Sequence, residues 1–175
     1  VGSVEECYDT AVLADGKTWM TEDLQQTSFL DNANQVQTMM LIDGSNDWNT
    51  DSWPYLSTPV YTTTDSGGVI YNHYGAQTAC PDGWRVPNAG EWNNLFSAYG
   101  GAQGAAVALK DPSFGGEVND DPFDVLPNGY VMNQGGWGYY FPNDANLYWS
   151  SSTYDDLIGY AYGFYRSSPN VVEHI

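Results

Sequence analysis

Apolar positions at the start of the chain fall in short runs around a tight turn. Tyr8, Val12 and Leu13 lead into Asp15-Gly16, and Thr18, Trp19 and Met20 follow, which predicts an opening β-hairpin. From 25 to 68 the pattern breaks up into Gly, Ser, Thr, Asn and Asp, and only Val36 to Ile42 reads as a strand. Trp48, Trp53 and Tyr55 in this stretch need a surface to pack on, so it is expected to be an ordered loop insertion; disordered segments are poor in aromatics. Val69 to Tyr74, with Tyr71 and His73, leads to the ACPDGW turn at Ala79 to Trp84. The clearest helical period comes next, with Trp92, Leu95, Phe96 and Tyr99 at i, i+3, i+4 and i+7. It predicts a helix from Ala89 to Tyr99, capped by Asn88, with Glu91 in its first turn and Gly100-Gly101 as its stop. A shorter helical turn is expected at Ala105 to Lys110. After Pro112 the pattern returns to strands, at Val125–Leu126, Tyr130–Met132, Tyr139–Phe141, Tyr148–Ser151 and Ala161–Tyr165. These elements sum to one α+β domain over residues 1–175, with short antiparallel strands, one or two short helices and long loops.

Composition favours the same class, because 19 Gly, 9 Pro and 15% aromatic residues suit strands and turns better than a helical bundle. Trp19, Trp84, Trp92, Phe96 and Trp149 are the expected core anchors. No apolar run approaches the roughly 20 residues that cross a bilayer, so no membrane insertion is expected. Charge removes another class: 22 acidic residues face only Lys17, Arg85, Lys110 and Arg166, a formal −18. Phosphate backbones and anionic bilayers are engaged by clustered cations, and none are clustered here, so nucleic acid is excluded as a partner. The acidity itself serves solubility, or in part holds a cation.

Cys7 and Cys80 are far apart and lie in no C-x-x-C, which argues against a zinc site or a redox pair. The expected reading is a structural disulfide tying the N-terminal strand to the turn before Trp84, with two free thiols as the alternative. Closing that loop is worth about 4–5 kcal/mol in the chain-entropy model. A disulfide implies an oxidising compartment, hence a secreted or cell-surface protein.

The catalytic inventory is thin. Only His73 and His174 are present, and the chain has no nucleophile elbow, phosphate loop or H-E-x-x-H. Adjacent carboxylates such as Glu5–Glu6 and Asp155–Asp156 are expected by chance in so acidic a chain. No enzyme is expected, and no cofactor except calcium. For calcium, one candidate cluster is Asp43, Asn46 and Asp47; the preferred one is Glu117, Asp120, Asp121 and Asp124. Four carboxylates within eight residues repel one another unless a cation offsets them, although solvated turns explain both clusters too.

Residues 143 to 170 hold six Ser or Thr and five Tyr with little aliphatic filler, the composition of adaptable recognition surfaces. Tyr154, Asp155, Asp156, Tyr160 and Tyr162 are the ligand-binding candidates there. The same aromatics would serve equally as core contacts at alternating strand positions.

Four segments, in order, carry a resemblance. They are ADGKTWMTEDL (Ala14–Leu24), ACPDGWRVPNAGEW (Ala79–Trp92), FDVLPNGY (Phe123–Tyr130) and LYWSSSTYDDLIGYAYGF (Leu147–Phe164). Together they resemble the Fibrobacter succinogenes major paralogous domain, a large family of secreted bacterial domains related to C-type-lectin-like and formylglycine-generating-enzyme-like folds. The resemblance implies a C-type-lectin-like domain. It implies no activity, because the histidines of iron-dependent relatives and the C-terminal cysteine pair of the formylglycine-generating enzymes are missing. The E-P-N and W-N-D signatures of calcium-dependent lectins are missing as well. Asp23 stands where that family usually has Asn. Its usual closing strand, similar to G-F-S-V-R-C-V, is replaced by Val171-Val172-Glu173-His174-Ile175, which is expected to leave a sheet edge unpaired. The Val1–Glu6 arm of a neighbouring copy would fit such an edge. The function expected on these grounds is a non-catalytic structural or adhesive protein of a bacterial surface, self-assembling as a filament or sheath subunit. The alternative is a receptor module that binds glycan or protein through the Tyr/Ser-rich face.

Overall fold

The computed structural model describes residues 7–31, 33, 35–42, 58–64, 67–118, 120–133, 137–155 and 159–175. The chain opens with the expected hairpin, β1 (Thr10–Val12) against β2 (Thr18–Met20), in a register that sets Ala11 opposite Trp19. Gly16, at φ +78°, supplies the left-handed residue its turn needs. β3 (Ser28–Leu30) and β4 (Val36–Thr38) form a second hairpin. Asp31 organises its turn by accepting from the backbone of Gln35 and Ala33 and from the Gln37 amide. Those bonds, Gln35 first, hold its carboxyl below the usual range.

The single strand expected over Val36 to Ile42 is two. Met39 turns inward and is buried, and β5 (Met40–Leu41) leaves the hairpin to run parallel to β6 (Val60–Thr63). β7 (Val69–Tyr71) completes that sheet antiparallel to β6. Trp48, Trp53 and Tyr55, the Asp43–Asp47 cluster and the Val1–Glu6 arm lie outside the described residues.

Between β7 and the ACPDGW turn, where no helix is expected from the sequence, Asn72 starts helix α1 (His73–Ala79). Its Oδ1 accepts from Gly75 N at 2.7 Å and from Val60 N at 3.1 Å, while Nδ2 donates to Thr58 O at 3.0 Å. One amide thus caps a helix and pins it to β6. Gly75 is required there: a Cβ would stand 2.7 Å from both Val60 O and Asn72 Oδ1.

Helix α2 (Ala89–Ala98) is the one the apolar period predicts, and Asn88 and Glu91 close a reciprocal capping box. Glu91 does more than cap. Arg85 grips it with two 2.6 Å bonds, and Lys17 of the opening hairpin reaches it at 3.0 Å. The Arg85 fork holds its carboxyl well below the ordinary carboxylate range. Glu91→Ala is therefore expected to cost about 1–2 kcal/mol at pH 7. With its folded pKa depressed, Glu91 contributes fully above the unfolded value of 4.5 and progressively less as pH falls below it. Urea denaturation at pH 7 and near pH 2 checks this, the gap between wild type and variant narrowing in acid.

Helix α3 (Ala102–Leu109) is longer than expected and begins at Gly101, φ +94°. A 3₁₀ turn, Pro112–Phe114, follows. Val125, expected in a strand, forms only an isolated bridge with Lys110. β8 (Tyr130–Asn133) and β9 (Trp137–Tyr140) pair as a hairpin. β10 (Ala145–Thr153) and β11 (Gly159–Tyr165) form the longest one. β12 (Val172–His174) pairs with β11, so the β11 edge expected to lie open is covered. Backbone pairing needs no particular closing motif, and Val171, buried beneath β12, anchors the end of the chain in the core.

The architecture is α+β: among the described residues, small sheets and three short α-helices surround one core. Leu95, Ala105, Leu109, Phe114, Val125 and Phe164 are fully buried at its centre. Trp92 stacks on Phe96 at 5.7 Å and meets Trp19 of β2 at 5.1 Å, which fixes the opening hairpin to α2. Of the five expected anchors, Trp19, Trp92 and Phe96 are buried, whereas Trp84 and Trp149 are only half-buried. No helix among the described residues is long and apolar enough to cross a membrane.

Candidate functional site: an aromatic cleft with a carboxylate in its wall

The two half-buried tryptophans border a cleft of about 1060 Å³ between the opening hairpin, the β6–β7 strands and β10. Trp19, Tyr71, Trp84, Phe123, Tyr148 and Trp149 give it aromatic walls. Several of these rings are held by hydrogen bonds. The Trp149 indole donates to Tyr71 O at 2.8 Å, and the Tyr71 hydroxyl donates across to Gln26 O and Leu24 O. The Trp92 indole donates to Trp149 O at 3.2 Å, tying α2 to the cleft-lining strand. Trp19 donates to Asp15 at the hairpin turn. The walls are preformed by these bonds, as expected of a binding site.

His73, at the start of α1, packs edge-on to Trp149 at 5.3 Å with Nε2 2.9 Å from Ser150 O. Gly159 leaves room for that ring, since a Cβ there would approach it to 2.4 Å. His174 on β12 also lines the cleft; Tyr165 Oη lies 2.8 Å from its Nε2, and burial lowers its pKa.

Asp23, just past β2, is a half-buried carboxylate in this wall. Oδ1 accepts from the Tyr148 hydroxyl at 3.0 Å, and Oδ2 accepts from the Asn128 amide at 2.7 Å. Burial still raises its pKa, outweighing both bonds, and pushes the Tyr148 phenol well above its ordinary value. With a folded pKa above the unfolded 3.8, Asp23 binds its proton more tightly in the folded state. The fold therefore loses stability as pH rises from 3.8 through that raised value. Asp23→Asn removes the burden while an amide flip at Asn128 keeps both bonds. The variant is expected to melt higher than wild type at pH 7 and equally at pH 3, as thermal scans at the two pH values would show.

The site residues suggested by the sequence are dispersed. Tyr162 is buried in the core, its hydroxyl on Glu173 at 3.0 Å, and burial takes its pKa up to about 12. Tyr154 is exposed and meets Tyr160 edge-on at 6.4 Å; Asp155 is exposed, and Asp156 lies outside the described residues. Thr153 and Gly159, which flank this hairpin tip, line the cleft, so the Tyr/Ser-rich segment borders it. Of the calcium candidates, Asp121 accepts from the Tyr99 hydroxyl and from Phe123 N, Asp124 faces the cleft, and Glu117 and Asp120 are exposed. Among the described residues no three His, Cys, Asp or Glu side chains gather as a metal site.

Cys7 and Cys80 are separate thiols here, and the bridge expected between them is not formed. Cys80 does not sit in an open turn. It ends α1, with Sγ 3.7 Å from Ala76 O and its pKa raised by burial. Sequence reasoning missed Asp23 and Asn128 as a pair, since 105 positions separate them.

Fold and site together define an α+β domain whose core opens on one side into an aromatic, acid-bearing cleft. The model of the Fibrobacter succinogenes major domain matches residues 12–171, and the chain belongs to that family. No curated protein and no solved structure matches it.

Proposed function

We propose that the chain is a C-type-lectin-like, non-catalytic binding module of a secreted bacterial surface protein, and that the aromatic cleft seats its ligand. The observation that carries this reading is the cleft itself: about 1060 Å³, with Trp19, Tyr71, Tyr148 and Trp149 in its walls already bonded at their polar ends. Rings fixed in this way offer contact area at little entropic cost on binding. The ligand class is a glycan or a protein segment. NMR titration with cellohexaose, xylohexaose and short arginine- or lysine-bearing peptides tests it. Saturable shifts of the Trp19, Trp92 and Trp149 indole N–H signals are expected, and a cleft that responds to none of these probes overturns the reading.

A second reading is self-association as a surface subunit. It is favoured by Leu30, Val36, Met40 and Leu41, four apolar side chains exposed along β3 to β5. Sedimentation velocity distinguishes the two: assembly predicts oligomers at micromolar protein that a Val36→Glu, Leu41→Glu double variant disperses, whereas a monomer at all concentrations removes it.

A further inference from the structure

We propose that the cleft receives an arginine side chain of its ligand, with the Asp23 carboxylate as counter-ion to the guanidinium; this rests on the reading of the cleft as a binding site. A carboxylate oxygen accepts about two hydrogen bonds. Each oxygen of Asp23 accepts one from within the chain, Oδ1 from Tyr148 and Oδ2 from Asn128, which leaves one acceptor position on each. One free position on each oxygen suits the parallel N–H pair of a guanidinium, a fork that an ammonium does not present.

No cationic side chain of the protein fills that place. Lys17 and Arg85 both bond Glu91, Arg166 bonds Asp144, and Lys110 donates to Tyr165 O and Ser168 O. A carboxylate in this wall without a counter-ion is costly, and an asparagine there, with Asn128 flipped, would keep both bonds without the charge. The charge therefore has a use outside the folded chain alone. The cleft suits the rest of the group: planar guanidinium stacks on aromatic faces, and Trp19, Tyr71 and Trp149 share the cavity with Asp23. A net charge of −18 draws cations toward the surface and disfavours anionic competitors.

The test is NMR titration of the 175-residue chain and its Asp23→Asn variant with three probes. These are Nα-acetyl-arginine amide, its neutral isostere Nα-acetyl-citrulline amide, and Nα-acetyl-lysine amide. The arginine amide is expected to bind saturably and shift the Trp19 and Trp149 indole signals. Citrulline and lysine amides should bind at least tenfold more weakly, and Asp23→Asn should weaken the arginine amide at least tenfold. The variant's dispersed spectrum and raised melting point would show that it stays folded. Citrulline or lysine amide binding as tightly as arginine amide overturns the proposal, as does undiminished binding by Asp23→Asn. Saturable binding of cellohexaose or xylohexaose without any response to arginine amide also overturns it, while leaving the cleft as a binding site. Silence toward every probe removes both.

Discussion

Phe164→Ala is expected to lower stability by about 3–5 kcal/mol, the range for deleting a buried phenylalanine. Phe164 lies on β11 with no exposed surface, edge-on to Phe96 at 6.4 Å and to Tyr148 at 6.0 Å. Its neighbours belong to α2 and β10, so collapse into the void would mean moving a helix against a strand. For a chain of this size the loss corresponds to a melting point lower by roughly 10 °C. Tyr154→Ala, at the exposed tip of the same hairpin, should stay within about 0.5 kcal/mol of wild type. Chemical denaturation of the two variants side by side checks both, and a Phe164→Ala loss below about 1 kcal/mol would mean the core is not built as described.

Gly104→Ala should be strongly damaging for a single methyl group. In an exposed helix this exchange gains roughly 1 kcal/mol from propensity. Here the added Cβ would stand 1.8 Å from the carbonyl oxygen of Tyr99 and 2.9 Å from its carbon. Both are backbone atoms at the end of α2, so no side chain can swing aside and the two helices must part. Overpacking of this kind costs typically about 1–3 kcal/mol, and a backbone obstacle places it at or beyond the upper end. The exposed neighbour Gln103→Ala controls for changes to the helix itself. The expected result is a large drop for position 104 and almost none for 103, read by thermal unfolding.

Helix α2 was legible because two independent signals coincided, an apolar period over Trp92, Leu95 and Phe96 and the Asn88/Glu91 cap. Helix α1 was not, because seven residues with two alanines and one tyrosine carry no period. Its real signal is Asn72, which reads as one more polar residue until β6 is placed beside it. β12 shows the reverse. A sequence departing from the expected closing motif still forms a strand, since pairing with β11 uses main-chain groups only. The cleft lay beyond local reasoning altogether. Trp84 and Trp149 look like core residues in a list of tryptophans, and only their position at the rim makes them walls. Asp23 differs in its reason: the residue was visible as an Asp where the resembling family has Asn, but its enclosure depends on Asn128 and Tyr148.

Asp23 and Tyr148 are 125 positions apart, and Lys17 and Glu91 are 74 apart. The first hairpin therefore cannot find its place until nearly the last one exists. Closing such long loops precedes the contacts that reward it, so topology of this kind makes for slow folding. During synthesis, everything before β10 emerges without the strands that complete the core, with its indoles open to unwanted contacts. Stable burial of the Trp19 and Trp92 rings therefore waits on β10 and β11, which carry Tyr148 and Tyr162.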